Sequence, residues 1–174
     1  EITYNRNGSI KSKTGIGNYT YNAFPFHAVK EIENSSGNIS SLPLHTVYNE
    51  LGLIEEITDE ATGYSMSFEY GPDQKRWKSE LRKHGEIVRT IRYANEYEEV
   101  TKGNTIRRFY YLEGGNLVLQ TLENSTLISQ EILHLLTDNQ GSILKVVDGK
   151  GNIVFETYYD AWGAATVIDN SIGL

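Results

Sequence analysis

Four histidines, His27, His45, His84 and His134, are the side chains in this chain best suited to bind a metal or move a proton. Their separations match no local metal-ligand spacing, and there is no Cys to complete a zinc set. The types for a serine triad are present, but no G-x-S-x-G elbow positions a nucleophile. Carboxylates occur close together: Glu55 with Glu56, Asp59 with Glu60, Glu96 with Glu98 and Glu99. A glycosidase needs two acids facing each other across a cleft. Glu55 and Glu56 are strand neighbours, and successive strand residues point to opposite faces, so they belong to a solvated surface. Gly15 with Gly17 lacks the following helix of a phosphate loop, and Gly114 with Gly115 lies inside a repeated phrase. What remains is aromatic. Trp77, Trp162 and exposed tyrosines are candidates for stacking against a sugar ring. The competing reading makes the tyrosines strand-closing residues that pack on the neighbouring strand. That reading is preferred because they recur at one fixed place. No catalytic residue, metal or cofactor is expected.

The elements that would position any such group come from composition. The chain has 174 residues, 39% of them hydrophobic, with twelve Tyr, sixteen Gly and only three Pro. Aromatic residues fit a pleated, half-buried surface, so this is a β composition. Sixteen basic against 23 acidic residues give a net charge of -7, which argues against a nucleic-acid partner. No apolar run reaches the ~18 residues of a membrane helix. No N-terminal stretch reads as a signal peptide. The chain begins at Glu1 rather than Met, as expected of an excised segment.

A phrase recurs along the chain: YNRNGSI at Tyr4, YNELGLI at Tyr48, YLEGGNL at Tyr111, TDNQGSI at Thr137 and YDAWGAA at Tyr159. Weaker echoes follow Tyr21, Tyr70 and Tyr93. An aromatic closes a strand. Asn or Asp then opens a turn, as at Asn5, Asn49, Asp138, Asp148 and Asp160. Glycine supplies a positive φ, as at Gly8, Gly52, Gly114, Gly141, Gly151 and Gly163. Between phrases the chain alternates with period two: Tyr64, Met66, Phe68 and Tyr70 share one face, and Ser65, Ser67 and Glu69 the other. KHGE, TKGN, LENS and DGKGN mark further turns. The expected fold is all-β, an antiparallel hairpin meander of roughly a dozen strands. Residues 1–174 read as one repeat region with no internal boundary, and residues 33 to 45 as a long hairpin connection. SQEILHLLTD is assigned to a strand rather than to a short helix.

The Y-(D/N)-x-x-G-x-apolar phrase resembles the YD repeat, also called the RHS repeat. LLTDNQGSILKVVDGKGNIVFETYYDAWG is similar to that family's most recognisable segment: a D-x-x-G-S turn, a D-x-x-G-N turn, then Y-D-x-x-G. The resemblance implies a β-ribbon that spirals into a hollow shell, of which this chain is one part. In bacteria such shells enclose a C-terminal toxin; wall-associated proteins and animal teneurins carry similar shells on cell surfaces. The implied partners are the remainder of the shell and the passenger toxin, and open sheet edges predict self-association. A cell-surface glycan or protein is the partner under the alternative binding reading. The implied location is secreted or cell-surface, with the export signal outside this segment. The family's closing R-Y-Y-x-P-x-x-G-R-Y and D-P-x-G-L motifs are absent, so no cleavage residue is assigned. The stretch from Asp169 to Leu174 reads as the lead-in to a downstream region.

Overall fold

The computed structural model describes residues 1–23, 27–34, 42, 44–160 and 163–172. Among them are sixteen β-strands and no helix. The strands lie in a single sheet in sequence order, every measured pairing antiparallel, which is the expected meander. There are more strands than the turn signals alone suggested. Short strands such as β1 (Ile2–Tyr4) and β2 (Ile10–Lys13) carry too few residues to show alternation.

Contacts group the chain into two compact units, Glu1–Arg92 and Tyr93–Leu174. The first contains β1, β2, β3 (Gly17–Tyr21), β4 (Val29–Asn34), β5 (Leu44–Tyr48), β6 (Ile54–Asp59), β7 (Tyr64–Tyr70), β8 (Arg76–Lys83) and most of β9 (Glu86–Ala94). Its apolar core is thin. Phe68 is its one buried apolar side chain among the described residues, with the Arg76 guanidinium 4.0 Å from its ring centre. Phe68 pairs in register with Ser79, itself buried. The opposite face carries a charge row. The Lys78 ammonium lies 2.8 Å from both Glu69 and Glu80, and Arg82 also contacts Glu80. Lys78 donates to the Glu80 carboxylate and is the main cause of its lowered pKa.

The second unit holds β10 (Tyr97–Lys102), β11 (Thr105–Leu112), β12 (Asn116–Glu123), β13 (Thr126–Thr137), β14 (Ile143–Asp148), β15 (Ile153–Tyr159) and β16 (Ala165–Asn170). SQEILHLLTD is strand, as expected, most of it in β13. Its core is Phe109, Leu117, Leu119, Leu133 and Val146, with Val100, Leu135, Ile143, Val154, Phe155 and Ile172 packed around it. Register explains the cluster. Phe109 pairs with Leu119, Leu117 with Leu133, and Val146 with both Leu135 and Phe155, so period-two alternation puts them on one face. Burying each such side chain is worth about 1.5–3 kcal/mol.

Candidate functional site: the repeat turns and their tyrosines

The phrases fold into one local structure. At Asn49 the backbone N–H donates to the Leu53 carbonyl at 2.9 Å, and the Gly52 N–H donates back to the Asn49 carbonyl at 2.9 Å. Gly52 has φ +77°. This is a three-residue hairpin loop: a type I turn followed by a left-handed residue. The same two bonds recur from Asn5 to Ser9, Gly71 to Lys75, Asp138 to Ser142, Asp148 to Asn152 and Asp160 to Ala164. The Asn or Asp side chain then braces the loop. Asp138 Oδ1 accepts from the N–H groups of Gln140 (2.8 Å) and Ser142 (2.9 Å). Asp148 Oδ1 accepts from Lys150 and Asn152, both at 2.8 Å, and its Oδ2 from the Asn152 amide. Asn49 braces Leu51 and Leu53 in the same way, and Asp160 braces Ala164. Bonds to the ionised form favour it. Asp138 is held below the usual carboxylate range chiefly by the Ser142 N–H, and Asp148 chiefly by the Asn152 side chain.

The turns alternate in kind along the meander. In the first unit the phrase loops after β1, β5 and β7 lie along one margin, with the connection after Tyr21, while the loops after β2, β6 and β8 lie along the other. In the second unit the loops after Tyr111, Thr137 and Tyr159 share a margin, and the Asp148 loop sits on the opposite one with the same geometry. A meander turns at alternate ends, so within each unit one tyrosine phrase per hairpin places those phrases on the same side.

That placement explains the tyrosine. At the phrase margin, β2 and β3 have no loop joining them, and likewise β4 with β5 and β6 with β7. There the tyrosine hydroxyl donates to the first residue of the preceding strand. Tyr21 reaches the Ile10 carbonyl at 2.7 Å, Tyr48 that of Val29 at 2.6 Å, and Tyr70 that of Ile54 at 2.7 Å. Each bond ties one hairpin to the one before it. Tyr48 is desolvated enough for its phenol pKa to be raised. Three tyrosine bonds fall in the unit with the thin core. In the second unit Thr137 replaces the tyrosine, and Tyr111 and Tyr159 are more than a third exposed.

Sequence reasoning ranked Tyr21 and Tyr70 as weak echoes, yet both make the bond. The loop after Tyr70 departs in composition only, whereas the connection after Tyr21 is longer, closed by the Asn22 N–H on the Ala28 carbonyl. His27 (φ +65°) and Gln74 (φ +60°) take the left-handed backbone that glycine supplies elsewhere. At the Tyr111 phrase both Gly114 (φ +74°) and Gly115 (φ +73°) are left-handed. Gly115 lies at the loop position matching Gly52, between the paired Leu112 and Asn116. The carbonyl acceptors Ile10, Val29 and Ile54 are the apolar residues that restart a strand after each phrase. That restart was legible; its role as acceptor was not.

The other candidates are dispersed. His45 lies 3.8 Å from Glu60, His134 Nδ1 2.7 Å from Asn116 Oδ1, and the His84 ring covers Gly63. No group of three His, Asp or Glu among the described residues is arranged to hold a metal. Trp77 is 42% exposed, with the Lys78 ammonium 6.0 Å from its ring. Trp162 lies outside the described residues, as does most of the stretch from 33 to 45, although β4 and β5 pair antiparallel on either side of it. A shallow cleft of about 550 Å³ in the first unit is lined by Asn22, Lys30, Thr46, Val47, Tyr48, Asn49 and Glu50. It opens beside the Tyr48 phrase and gathers one cation and one carboxylate.

No family model matches the chain, and no curated protein matches it. Solved structures do. TcdB2-TccC3 without its hypervariable C-terminal region superposes with a TM-score of 0.61 at 13% identity, over 94% of this chain and 10% of that one. TcdB2-TccC3-TEV gives 0.60 at 12%, over 74% and 7%. The Photorhabdus luminescens Tc holotoxin pore gives 0.59 at 12%, over 94% and 10%. The chain thus spans a tenth or less of the solved chains it matches. At this identity the likeness concerns the fold, which is RHS-like.

Proposed function

We propose that this chain is a non-catalytic structural segment of an RHS-type shell, which encloses and helps deliver a C-terminal toxin of a secreted or cell-surface bacterial protein. The observation that carries the reading is the tyrosine bond. A recurring side chain spends its polar atom on tying one hairpin to the previous one, which is wall-building rather than ligand chemistry. The fold shared with Tc toxin assemblies supports it. In this reading the partners are neighbouring wall segments and the passenger.

The test uses the parent protein with a protease site placed in the passenger. With the segment intact the site resists cleavage. With Tyr21, Tyr48 and Tyr70 all changed to Phe, the passenger is cut faster. Equal cleavage with the segment intact, deleted or altered would refute the enclosing role. The exposed Trp77 favours a second reading, recognition of a glycan or protein at a cell surface. Trp77→Ala should then abolish cell binding and leave passenger protection unchanged.

A further inference from the structure

We propose that Tyr97 and Tyr110 form an oxidative cross-linking site: a one-electron oxidant couples their rings into a dityrosine that joins β10 to β11, and Glu99 takes the Tyr97 hydroxyl proton as the electron leaves. The site lies wholly inside the second unit, and its chemistry is independent of whether the chain builds a wall.

Register brings the two rings together. Tyr97 faces Tyr110 directly across β10 and β11. The Tyr111 N–H donates to the Glu96 carbonyl at 2.8 Å, which makes 96 and 111 a hydrogen-bonded pair. Tyr97 and Tyr110, one step along, are then a non-hydrogen-bonded pair, in which opposed side chains stand closer. Their ring centres lie 5.1 Å apart, with the planes tilted by 49°. Both residues are half-buried. That shields them from tyrosines of other molecules, whereas Tyr4 and Tyr158, 61% and 53% exposed, are open to collision.

The same face supplies the proton acceptor. Period-two alternation puts Glu99 beside Tyr97, and the Tyr97 hydroxyl donates to Glu99 Oε2 at 2.9 Å. Arg108, opposite Glu99 in register, donates its Nε–H to the same oxygen at 3.1 Å and holds it there. The Tyr110 hydroxyl donates to Gln120 Oε1 at 3.4 Å. Burial, aided by Glu99, pushes the Tyr97 phenol up to about 12, so at neutral pH its oxidation must also move a proton. A carboxylate within hydrogen-bond distance is placed to receive it.

The step balances. The oxidant removes one electron from each ring. The Tyr97 proton passes to Glu99 and on to solvent, and the Tyr110 proton goes to solvent. A bond forms between a ring carbon next to the hydroxyl-bearing carbon on each side. The hydrogens on those two carbons then shift to the phenol oxygens, restoring both rings. Two electrons and two protons have left, and the two strands share a covalent rung.

The experiment is brief photo-oxidation of the full chain, kept dilute, with ruthenium tris-bipyridyl and persulfate as the one-electron oxidant. Dityrosine fluorescence and mass spectrometry of proteolytic peptides read the product. A monomeric product is expected, in which the peptides carrying Tyr97 and Tyr110 are joined with the loss of two hydrogens. Tyr97→Phe and Tyr110→Phe each keep a ring, so circular dichroism should be unchanged, and each should abolish that product. Tyr158→Phe should leave it unchanged. Glu99→Gln should slow its formation about 100-fold at neutral pH, the low end of what a positioned base contributes. The deficit should shrink as pH rises and hydroxide takes the proton. Cross-links confined to exposed tyrosines of different molecules, or a rate indifferent to Glu99→Gln at every pH, would overturn the proposal.

Discussion

Tyr48→Phe isolates the bond that ties hairpins together. It removes one oxygen and leaves the ring where it packs. The lost bond is short, 2.6 Å to the Val29 carbonyl, in a partly buried setting. A hydrogen bond of this kind contributes about 0.5–1.5 kcal/mol net, and a carbonyl left dry and unpaired costs about 1–3 kcal/mol. Val29 is only partly buried and sits near the open cleft beside Tyr48, so water can take the vacated place. About 1 kcal/mol is the expected loss. The assay is native-state hydrogen exchange, because two compact units make a single melting midpoint ill-defined. Amides of β4 and β5 should exchange about 5-fold faster, with those of the second unit unchanged. Tyr159→Phe is the control, since that hydroxyl bonds no described residue. Equal effects of the two substitutions, or no change at Tyr48→Phe, would refute the claim that the hydroxyl joins the hairpins.

Other perturbations probe the loops and the second unit. Gly115→Ala should cost more than Gly8→Ala: both lie at positive φ, a strain of about 1–2 kcal/mol, but only at Gly115 would the new methyl meet a backbone oxygen, that of Leu135 at 3.0 Å. Chemical denaturation of both variants would show the difference. Leu133→Ala empties a fully buried position and should destabilise the second unit by about 2–5 kcal/mol, read from exchange in β12 to β14. Asp138 and Asp148 have folded pKa values below their unfolded ones, so their contribution is complete above the ordinary carboxylate range. It is lost as pH falls through the folded values. Carbon-detected NMR titration should find both ionising below the ordinary carboxylate range. Burial, aided by the Glu99 carboxylate that its hydroxyl meets at 2.9 Å, pushes the Tyr97 phenol up to about 12. A raised pKa means its stabilising effect is present below about 10 and fades as pH climbs toward 12, which an alkaline absorbance titration of Tyr97→Phe against the parent would detect.

The strands were legible where alternation ran long, as in β7 and β15, and the loops wherever Asx and Gly kept their spacing. These are local signals, set by backbone stereochemistry. The loop after Tyr70 shows the limit. Gly71 stands where Asn or Asp stands elsewhere, and Gln74 adopts the left-handed conformation without being glycine, so the turn forms although its letters are wrong. Pairing through seven backbone registers on β8 holds it in place. The tyrosine's partner was out of reach for a different reason. Its acceptor is a backbone carbonyl, which every residue has, so no residue type announces it. The glycine at Tyr111 was ambiguous because two adjacent glycines offer the same freedom. Only the Leu112–Asn116 pairing distinguishes them.

The direction of the tyrosine bonds has a consequence for how such a chain comes together in time. Every hydroxyl points back to a carbonyl earlier in the sequence, by 11, 19 and 16 residues. No strand waits for a distant partner, since each pairs with its sequence neighbours. A chain of this kind emerging N-terminus first, from a ribosome or from a narrow channel, finds each new hairpin's acceptor already in place. Its assembly is a ratchet: each completed repeat is locked to what has already folded and owes nothing to what has yet to appear. Loop-closure entropy stays small at every step, and little unpaired edge is exposed while the rest arrives.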